Sequence, residues 1–398
     1  MIYLDNNATT PVREEVMEAM LPYLKEEFGN PASKYYPQAI KAKEAIEEAR
    51  FHVASLINAS PEEIIFTAGA AEANNMIIKG VADFQKYYAT PSKNHIITST
   101  VEHESVLNTC RFLNGEIYSN NDAVLSFGGN KKIDRGFKVD FAPVNEYGQV
   151  TVETLNLLLT DKTSLVSLIW GNNEIGSLND ILSLSKLCKE KNIYFHADGT
   201  QVLGRVEVDV QKVPVDFLSF SAHKLNGPKG VGCAYLRADE YGRRPQISAL
   251  IHGGDQEYGL RAGTHAVHNI VGFGKAAELA KKELSSKIEK LTVLEQELKK
   301  GLLEAIPEIE FIGDAVNKVP GVLSFIIRKE MFNNEVFIKK VANQIAISAG
   351  SACTAGKPSH VLIALNKTIY TRNFIRLSLS TLTTFNIVEL CSIIKNNI

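Results

Sequence analysis

The sequence predicts an α/β fold, in which a mostly parallel sheet is covered by helices on both sides. Short, continuous apolar runs recur from about residue 37 to residue 257, and stretches with helical spacing separate them. Runs this short are typical of strands that are buried on both faces. The length of 398 residues also exceeds what one hydrophobic core usually organises, so we expect two domains or one large domain with an appendage. In such folds, ligands bind at the carboxyl ends of the strands.

Strands and helices are predicted to alternate along the large domain. In the first helical stretch, apolar residues from Ala42 to Ile57 recur with the spacing that puts them on a single helix face. A later stretch, Leu113–Asp140, is predicted to be irregular, and loops of that length are usually functional or mobile. The predicted strands are Glu63–Thr67, His95–Thr98, Leu165–Trp170, Ile193–Ala197, Phe217–Phe220 and Val231–Leu236.

A long helix is predicted to connect the two domains. From Lys275 to Ala305, isoleucine and leucine residues share one stripe, and charged residues occupy the rest of the surface. The pattern that follows is mixed, which predicts a smaller α+β unit. We therefore expect a large domain over residues 16–257 and a small domain made of residues 1–15 and 258–398. The elements predicted in the small domain are a strand at Gly321–Ile327, a helix at Glu335–Asn343, a small-residue loop at Ser348–Lys357 and a closing helix.

Composition and charge exclude several classes of protein. The 43 basic and 45 acidic residues give a net charge of -2, which offers no electrostatic footprint for nucleic acid or an anionic membrane. The five cysteines are an odd number without a C-x-x-C pair, so we expect a reducing compartment, with neither a disulfide framework nor a metal site. The first residues lack the basic and apolar regions of a signal peptide, and there is no apolar run of roughly 18 residues. The protein is therefore predicted to be cytoplasmic, with proteins or small molecules as its partners.

Two charged residues at neighbouring strand ends indicate a cofactor. Lys224 follows the strand Phe217–Phe220, and a partly desolvated lysine there can form a Schiff base with a carbonyl, although one such lysine alone is more often a surface residue. Asp198 follows the preceding strand, 26 residues earlier, where an aspartate is also a common helix cap. Together they are the pair that pyridoxal phosphate needs, because a carboxylate keeps the ring nitrogen protonated while the lysine holds the aldehyde.

Two further segments fit the same cofactor. The strand Glu63–Thr67 runs into the segment Ala68–Asn75, whose small residues open a helix, and bare N–H groups at a helix start bind phosphate. A tight turn without a ligand explains this segment equally well. His103 also follows a strand and can stack on a cofactor ring or move protons, although a lone histidine at this position is weak evidence for a cofactor site.

The chain resembles a known family over nearly its whole length. Its motifs are similar to those of group I cysteine desulfurases, the nitrogen-fixation and housekeeping iron–sulfur type of the class V aminotransferase group. The resemblance implies the PLP-dependent transferase fold type I, with a large domain built on a mostly parallel seven-stranded sheet flanked by helices, plus a smaller α+β domain. The matching segments are Tyr3–Pro11, Phe28–Ser33, Gly69–Asn75, Glu102–His103, Asn172–Gly176, Asp198–Gln201, Ser221–Gly230, Arg261–Thr264 and Ser348–Thr354.

The resemblance also implies roles for individual residues around pyridoxal 5'-phosphate. Lys224 resembles the lysine that holds the aldehyde, Asp198 the partner of the ring nitrogen, and His103 the residue stacked on the ring. Gln201 resembles the donor to the phenolic oxygen, and Asn173 lies close to both cofactor and substrate. The implied phosphate ligands are Ser221, His223, Ala70 and Ala71.

Substrate and subunit contacts follow from the same resemblance. Arg376 resembles the guanidinium that grips the substrate carboxylate, with Asn173 beside it, and bidentate geometry suits arginine to this task. Thr264 matches a residue that reaches the phosphate of the neighbouring subunit's cofactor, which implies a homodimer with sites at the interface.

Cys353 decides the predicted reaction. The other cysteines, Cys110, Cys188, Cys233 and Cys391, lie in periodic apolar stretches, where cysteine usually behaves as a small buried hydrophobe. Cys353 lies in a loop of small residues, which resembles the mobile catalytic loop of the group I enzymes. The resemblance implies that L-cysteine is converted to L-alanine and a Cys353 persulfide. The sulfur then passes to an acceptor protein, for which an iron–sulfur scaffold is one candidate.

Some positions depart from the family pattern. Ala71 replaces a hydroxyl residue of the phosphate loop, which removes one hydrogen bond of about 1 kcal/mol without excluding cofactor binding. Asp255 occupies a usual glycine position, and Tyr35 or Tyr36 stands where histidine is common. The stretch from about residue 115 to residue 140 is longer than usual, which favours an altered choice of partner.

Other functions fit the same fold. A selenocysteine lyase or a small-molecule aminotransferase of class V shares the fold and the cofactor, but the Cys353 loop favours a desulfurase. A non-catalytic scaffold is the alternative from another class. It has no chemical reason to keep Lys224, Asp198, His103 and Arg376 together.

Overall fold

The computed structural model describes residues 1–116, 133–350 and 358–398, in which strands and helices alternate. The strands are β1 (Ile2–Tyr3), β2 (Ile64–Thr67), β3 (His95–Ser99), β4 (Lys138–Ala142), β5 (Thr163–Ile169), β6 (Tyr194–Asp198), β7 (Phe217–Ser221), β8 (Gly232–Leu236), β9 (Ile309–Phe311), β10 (Val322–Ile327), β11 (Ile345–Ala346) and β12 (Phe374–Ser378). The helices are α1 (Glu14–Lys25), α2 (Pro37–Leu56), α3 (Ala70–Tyr87), α4 (Glu104–Leu113), α5 (Val152–Leu158), α6 (Ile181–Glu190), α7 (Val267–Ala305), α8 (Asn334–Val341), α9 (His360–Ala364) and α10 (Ile387–Lys395).

A mostly parallel sheet of seven strands forms the centre of the chain. Its order is β2-β8-β7-β6-β5-β3-β4, and β8 alone runs in the direction opposite to the other six strands. This confirms the predicted α/β fold class. The strand that sequence reasoning missed is β4, Lys138–Ala142, whose first three residues were placed in an irregular stretch. It is an edge strand in which only Val139 and Ala142 are buried, so it lacks the continuous apolar run of its neighbours.

Helices cover both faces of this sheet, so its strands are buried on each side. All seven residues of β5 are buried. Leu165 of this strand packs in one apolar core, whereas Val166 packs in the core on the opposite face. Because successive side chains of a strand point to opposite faces, a strand between two cores is apolar throughout, as the sequence predicted.

The long helix α7 begins at Val267, eight residues before the predicted start at Lys275. Its first turns pack closely against α2 and the middle of α1. A Cβ atom at Gly274 would lie 2.5 Å from the Cα atom of Ala49, and a Cβ atom at Gly272 would lie 2.7 Å from the Met20 sulfur. Small residues are thus required where the helices touch, and they interrupt the apolar stripe by which the helix was recognised.

A second apolar core lies under a smaller antiparallel sheet of order β12-β10-β9. The end of α7 contributes Leu298 and Leu302 to this core, and the sheet contributes Phe325 and Ile375. Strand β1 pairs with β11, which brings the first residues of the chain beside this unit. The boundaries predicted for the two domains, at residues 15/16 and 257/258, stay predictions. No helix in the described ranges is long and apolar enough to cross a membrane.

A buried ion pair fixes the strand that leads into the site. Arg50 donates from both terminal nitrogens to the Glu257 carboxylate at 2.8 Å, and both side chains are almost fully buried. The Phe66 N–H donates to the same carboxylate at 2.7 Å. The end of β2, from which the next residues enter the site, is therefore held by a charge-assisted hydrogen bond.

Candidate active site

A cavity of about 470 Å³ opens at the carboxyl ends of β2, β5, β6 and β7. This is where an α/β sheet of this kind places its ligands. Thr264 is exposed and does not line the cavity, and Cys353 lies outside the described residues. The predicted site residues that the structure brings together around the cavity are Ala70, Ala71, His103, Asn173, Asp198, Gln201, Ser221, His223, Lys224 and Arg376.

One end of the cavity offers donors to an anion. Helix α3 starts at Ala70, so the N–H groups of its first turn have no partner within the helix and face the cavity region lined by Ala70 and Ala71. Ser221, His223 and Lys229 line the same cavity. Burial, together with the charges of Lys224 and Lys229, lowers the pKa of His223 to about 4. Its ring is therefore neutral at pH 7 and can donate a hydrogen bond.

A carboxylate marks another part of the cavity wall. Asp198 ends β6 and is 3% exposed. Its Oδ1 atom accepts from the Thr200 N–H at 3.0 Å and from the Thr200 hydroxyl at 2.5 Å. Its Oδ2 atom accepts from the Asn74 amide at 2.9 Å. Asn74 and Thr200 were not predicted as site residues, although both stand within segments that match the family's motifs.

The N-terminal segment after β1 forms the wall beside Lys224. This lysine ends a single 3-10 turn that follows β7, and its ammonium group donates to the backbone oxygens of Asn7 at 2.5 Å and Ala8 at 2.7 Å. The Gln201 amide donates to the same Asn7 oxygen at 3.1 Å. The Gln201 side-chain oxygen is buried without a partner among the described residues, and its amide nitrogen carries a second N–H beyond the one given to Asn7, so both an acceptor and a donor remain for a ligand.

A buried arginine lies across the cavity from the sheet. Arg376 of β12 is 2% exposed. It donates to Asp5 at 2.7 Å and to the backbone oxygen of Asn173 at 2.8 Å. Its Nε atom has no partner among the described residues. A guanidinium held on two sides, with a buried N–H left over, is suited to take a carboxylate of a small ligand.

The donor set fits pyridoxal phosphate. Anion donors line one part of the cavity, a carboxylate suited to a protonated ring nitrogen lies in another, and Lys224 carries the amine that the aldehyde requires. Gln201 and Arg376 each leave a buried polar atom without a partner among the described residues, which indicates that the cavity is built for a polar occupant.

Glu102, beside His103, is a buried carboxyl group whose protonation changes the stability of the fold. It is fully buried, and its Oε1 atom accepts from the Ser99 hydroxyl at 2.5 Å. Burial raises the pKa of Glu102 to about 8. The folded chain thus binds a proton that the unfolded chain releases above about pH 4.5, so stability falls as pH rises from about 4.5 to 8.

We expect Glu102→Gln to remove this pH dependence. The amide keeps an acceptor for Ser99 and carries no charge at any of these pH values. The free energy of unfolding of the wild type should fall by about 3 kcal/mol relative to that of the variant as the pH rises from 5 to 8. Urea unfolding at both pH values measures the difference, and an equal pH dependence in the two proteins would show that Glu102 is not the group responsible.

The chain is similar to known proteins over most of its length. A family model described as aminotransferase class-V matches residues 2–118 and 128–390. Proteins named cysteine desulfurase IscS are similar to the chain. The one from Neisseria meningitidis serogroup C is 41% identical over 92% of this chain and 84% of its own length. The one from Dictyoglomus turgidum is 42% identical over 92% of this chain and 86% of its own length.

Solved structures are also similar. One described as a NifS-like protein has a TM-score of 0.85 and 34% identity, and the match covers 99% of this chain and 98% of the other. Another, described as SspA in complex with cysteine, has a TM-score of 0.77 and 32% identity, covering 96% of this chain and all of the other.

Proposed function

The chain belongs to the cysteine desulfurases of the class-V aminotransferase family, and from that premise we propose that its cavity takes the sulfur of free L-cysteine and passes it to Cys353. The products are L-alanine and a persulfide on that residue. The observation that carries the proposal is the placement of Lys224, Asp198 and Arg376 around one cavity. An amine, a carboxylate and a carboxylate-binding guanidinium are what a pyridoxal-phosphate enzyme acting on an amino acid needs.

Pyridoxal 5'-phosphate would be held by residues at the ends of three strands, β2, β6 and β7. Lys224 would bind its aldehyde carbon, Asp198 its ring nitrogen, and the N–H groups of Ala70 and Ala71 its phosphate. Asp198 keeps its position through the three hydrogen bonds from Asn74 and Thr200. When bound, the cofactor withdraws electrons from the substrate carbon atoms and so stabilises negative charge on them.

Arg376 orients the substrate through its carboxylate. The guanidinium is already fixed by Asp5 and by the Asn173 backbone oxygen, so little side-chain entropy is lost when a carboxylate binds. Because Arg376 is 2% exposed, the hydrogen bonds to that carboxylate form away from bulk water, where they are strong.

Lys224 moves the protons of the substrate carbons. Its neutral amine takes the proton from Cα, and the ammonium group then rests against the backbone oxygens of Asn7 and Ala8. The same ammonium group can return a proton to Cβ after the sulfur has left.

Cys353 accepts the sulfur as the nucleophile. Its thiolate attacks the substrate Sγ, a new S–S bond forms, and the Cβ–S bond breaks with its electron pair on Cβ. Protonation of Cβ gives alanine, so that one thiol and one cysteine become one persulfide and one alanine. The four cysteines in the described ranges are buried, and burial raises the pKa of each thiol, which disfavours the thiolate.

The described residues that flank the Cys353 segment lie beside the cavity. Ser348 exchanges two backbone hydrogen bonds with Arg376, at 3.2 and 2.7 Å. On the other flank, the Ser359 hydroxyl donates at 2.5 Å to Glu174, the residue next to Asn173. Cys353 is the fifth residue after Ser348, so the chain between them can span at most about 17 Å. This length supports the proposal that Cys353 serves a substrate held by Arg376.

The proposal extends to the subunits, the acceptor and the compartment. A homodimer is proposed because Thr264 is exposed and does not line the cavity of its own chain, which leaves it available to a neighbouring subunit's cofactor. The acceptor is proposed to be a protein that takes sulfane sulfur, such as an iron–sulfur scaffold. A cytoplasmic location fits because the cysteine nucleophile needs a reducing compartment.

Alanine formation from L-cysteine, measured with added cofactor and a thiol reductant, tests the proposed reaction. Arg376→Lys is expected to raise the KM for cysteine at least about tenfold, because an ammonium group cannot reproduce the bidentate contact. Arg328→Lys is the matched control, since Arg328 is an exposed arginine paired with Glu310. Absence of alanine from the cofactor-loaded wild type, or an unchanged KM in Arg376→Lys, would contradict the assignment.

A further inference from the structure

A chain of buried hydrogen bonds runs behind the cavity and ends at two of its functional residues. The Ser167 hydroxyl lies 2.8 Å from His196 Nδ1, and His196 Nε2 lies 3.2 Å from the Ser219 hydroxyl. Ser219 donates to the side-chain oxygen of Asn74. All four of these side chains are fully buried. They come from β5, β6, β7 and α3, so the chain crosses the sheet and reaches the helix that starts at the anion end of the cavity.

The direction of these hydrogen bonds is fixed by what each group can donate. Burial lowers the pKa of His196 to about 4, so its ring is neutral at pH 7 and carries one N–H. Because the Ser219 hydrogen is given to Asn74, the Ser219 oxygen is free to accept, and His196 Nε2 is the donor to it. His196 Nδ1 then accepts from the Ser167 hydroxyl. Every member of the chain is satisfied in this direction.

Asn74 is thereby oriented with its amide nitrogen toward the cavity. One N–H donates to Asp198 Oδ2 and the other to the Ser105 hydroxyl, each at 2.9 Å. A flipped amide would put its oxygen against the Asp198 carboxylate, where two acceptors would face each other. The orientation of Asn74 is therefore determined by Asp198, and the Ser219 hydroxyl donates to the amide oxygen on the other side.

Ser105 links Asn74 to His103 and determines which ring nitrogen of His103 accepts a hydrogen bond. Its hydroxyl accepts from Asn74 and lies 2.8 Å from His103 Nδ1, so its own hydrogen points to that nitrogen. The backbone N–H of Ser105 also donates to His103 Nδ1, at 3.2 Å. A backbone N–H can only donate, so two donors face Nδ1, and this ring nitrogen carries the lone pair. The proton of the neutral ring is then on Nε2.

We propose that Asn74 is a positioning residue that serves two functional groups at once, by holding the Asp198 carboxylate and by fixing His103, through Ser105, as the Nε2–H tautomer. His103 therefore presents an N–H to a molecule in the cavity and enters the reaction as a hydrogen-bond donor. It cannot begin the reaction as the base at Nε2, because that atom already carries a proton. The base is then Lys224. The catalytic consequence rests on the proposed desulfurase function, whereas the tautomer itself does not.

Nitrogen-15 NMR of the cofactor-free protein tests the tautomer directly. Protein labelled on the histidine rings gives long-range correlations that distinguish a protonated ring nitrogen from an unprotonated one. The His103 signals are assigned by their absence from His103→Gln. The expected result is a neutral ring with the proton on Nε2. A proton on Nδ1 in the wild type would overturn the proposal without the need for any further variant.

Variants of the two linking residues then test the path. Ser105→Ala removes the hydroxyl donor and leaves only the longer backbone N–H donor at 3.2 Å, and Asn74→Ala removes the group that orients that hydroxyl. Both variants should therefore show a detectable fraction of the Nδ1–H tautomer beside the Nε2–H form. Asn75→Ala is the matched control, because Asn75 is the next residue of α3 and bonds only to the Ala71 backbone oxygen among the described residues. A pure Nε2–H tautomer in both Ser105→Ala and Asn74→Ala would overturn the proposed path.

Cofactor binding gives an independent measurement for the Asp198 branch. Titration of the cofactor-free variants with pyridoxal phosphate should show about tenfold weaker binding for Asn74→Ala than for Asn75→Ala, because Asp198 loses one of its donors. Equal affinities would overturn this branch. If the wild type has the predicted tautomer but forms no alanine from cysteine, the desulfurase function fails while the tautomer stands. If the enzyme is active but His103 is the Nδ1–H tautomer, the tautomer proposal fails while the desulfurase function stands.

Discussion

Replacement of Lys224 with alanine is expected to lower the rate of alanine formation from cysteine by about three orders of magnitude or more. The amine is the group through which the chain binds the cofactor aldehyde, and it is also the base for the proton on Cα. No other described residue carries an amine that donates to the Asn7 and Ala8 backbone oxygens. Single-turnover alanine formation with saturating cofactor measures the effect.

Lys224→Arg is the sharper form of the same test. A guanidinium keeps the positive charge and can still donate to the Asn7 and Ala8 oxygens, but it stays protonated at all accessible pH values and cannot act as a base. It is expected to be as inactive as Lys224→Ala. Activity within about tenfold of the wild type in Lys224→Arg would show that charge, and not proton transfer, is what this position supplies.

Replacement of Cys353 with serine is expected to lower sulfur transfer at least about a hundredfold while leaving the cofactor bound. A hydroxyl group is a poor nucleophile toward sulfur, and it cannot store the sulfur as a persulfide. The variant should keep the visible spectrum of the wild type, since the residues proposed to hold the cofactor are untouched. Sulfide and alanine are both measured, because the two products are formed in equal amounts.

Cys391→Ser is the control for this variant. Cys391 is a buried cysteine of α10, away from the cavity-lining residues. Its replacement should leave both products unchanged. If Cys353→Ser forms alanine as fast as the control, the sulfur is released without a protein persulfide, and a lyase mechanism replaces the proposed one.

The strands of the large sheet could be predicted because most of them are buried on both faces. A strand such as β5, in which every residue is buried, must consist of apolar residues or small hydroxyl residues. The edge strand β4 has no such requirement, and it was missed. The start of α7 was missed for a related reason, since Gly272 and Gly274 satisfy a contact between helices and leave no apolar side chain in the periodic pattern.

The candidate site was predictable where a side chain carries the chemistry. Lys224 and Asp198 each have commoner explanations alone, but together at neighbouring strand ends they form the pair that the cofactor needs. Arg376 was found through the family resemblance. Asn7 and Ala8 were not predicted as site residues, because they act on Lys224 through backbone oxygens, which every residue type has. From the sequence, they could be found only through the segment Tyr3–Pro11, which matches the family but to which no function was assigned.

The hydrogen-bond chain that includes Asn74 could not be predicted from the sequence for a different reason. Its members lie far apart in the chain, and Asn74 and Ser219 are separated by 145 residues. Each residue alone is an ordinary asparagine, serine or histidine in an apolar segment. The direction of their hydrogen bonds, and with it the tautomer of His103, follows only once the fold brings them within 3.2 Å of one another.

The central claim is that sulfur from cysteine is transferred to Cys353, and mass spectrometry with sulfur-labelled cysteine tests it most directly. The cofactor-loaded enzyme is mixed with labelled cysteine in the absence of reductant, quenched, alkylated and digested. The account predicts that the peptide with Cys353 gains one labelled sulfur atom, in an amount equal to the alanine formed in the first turnover. Alanine formed with the label on another cysteine, or with all of the label free in solution, would contradict it.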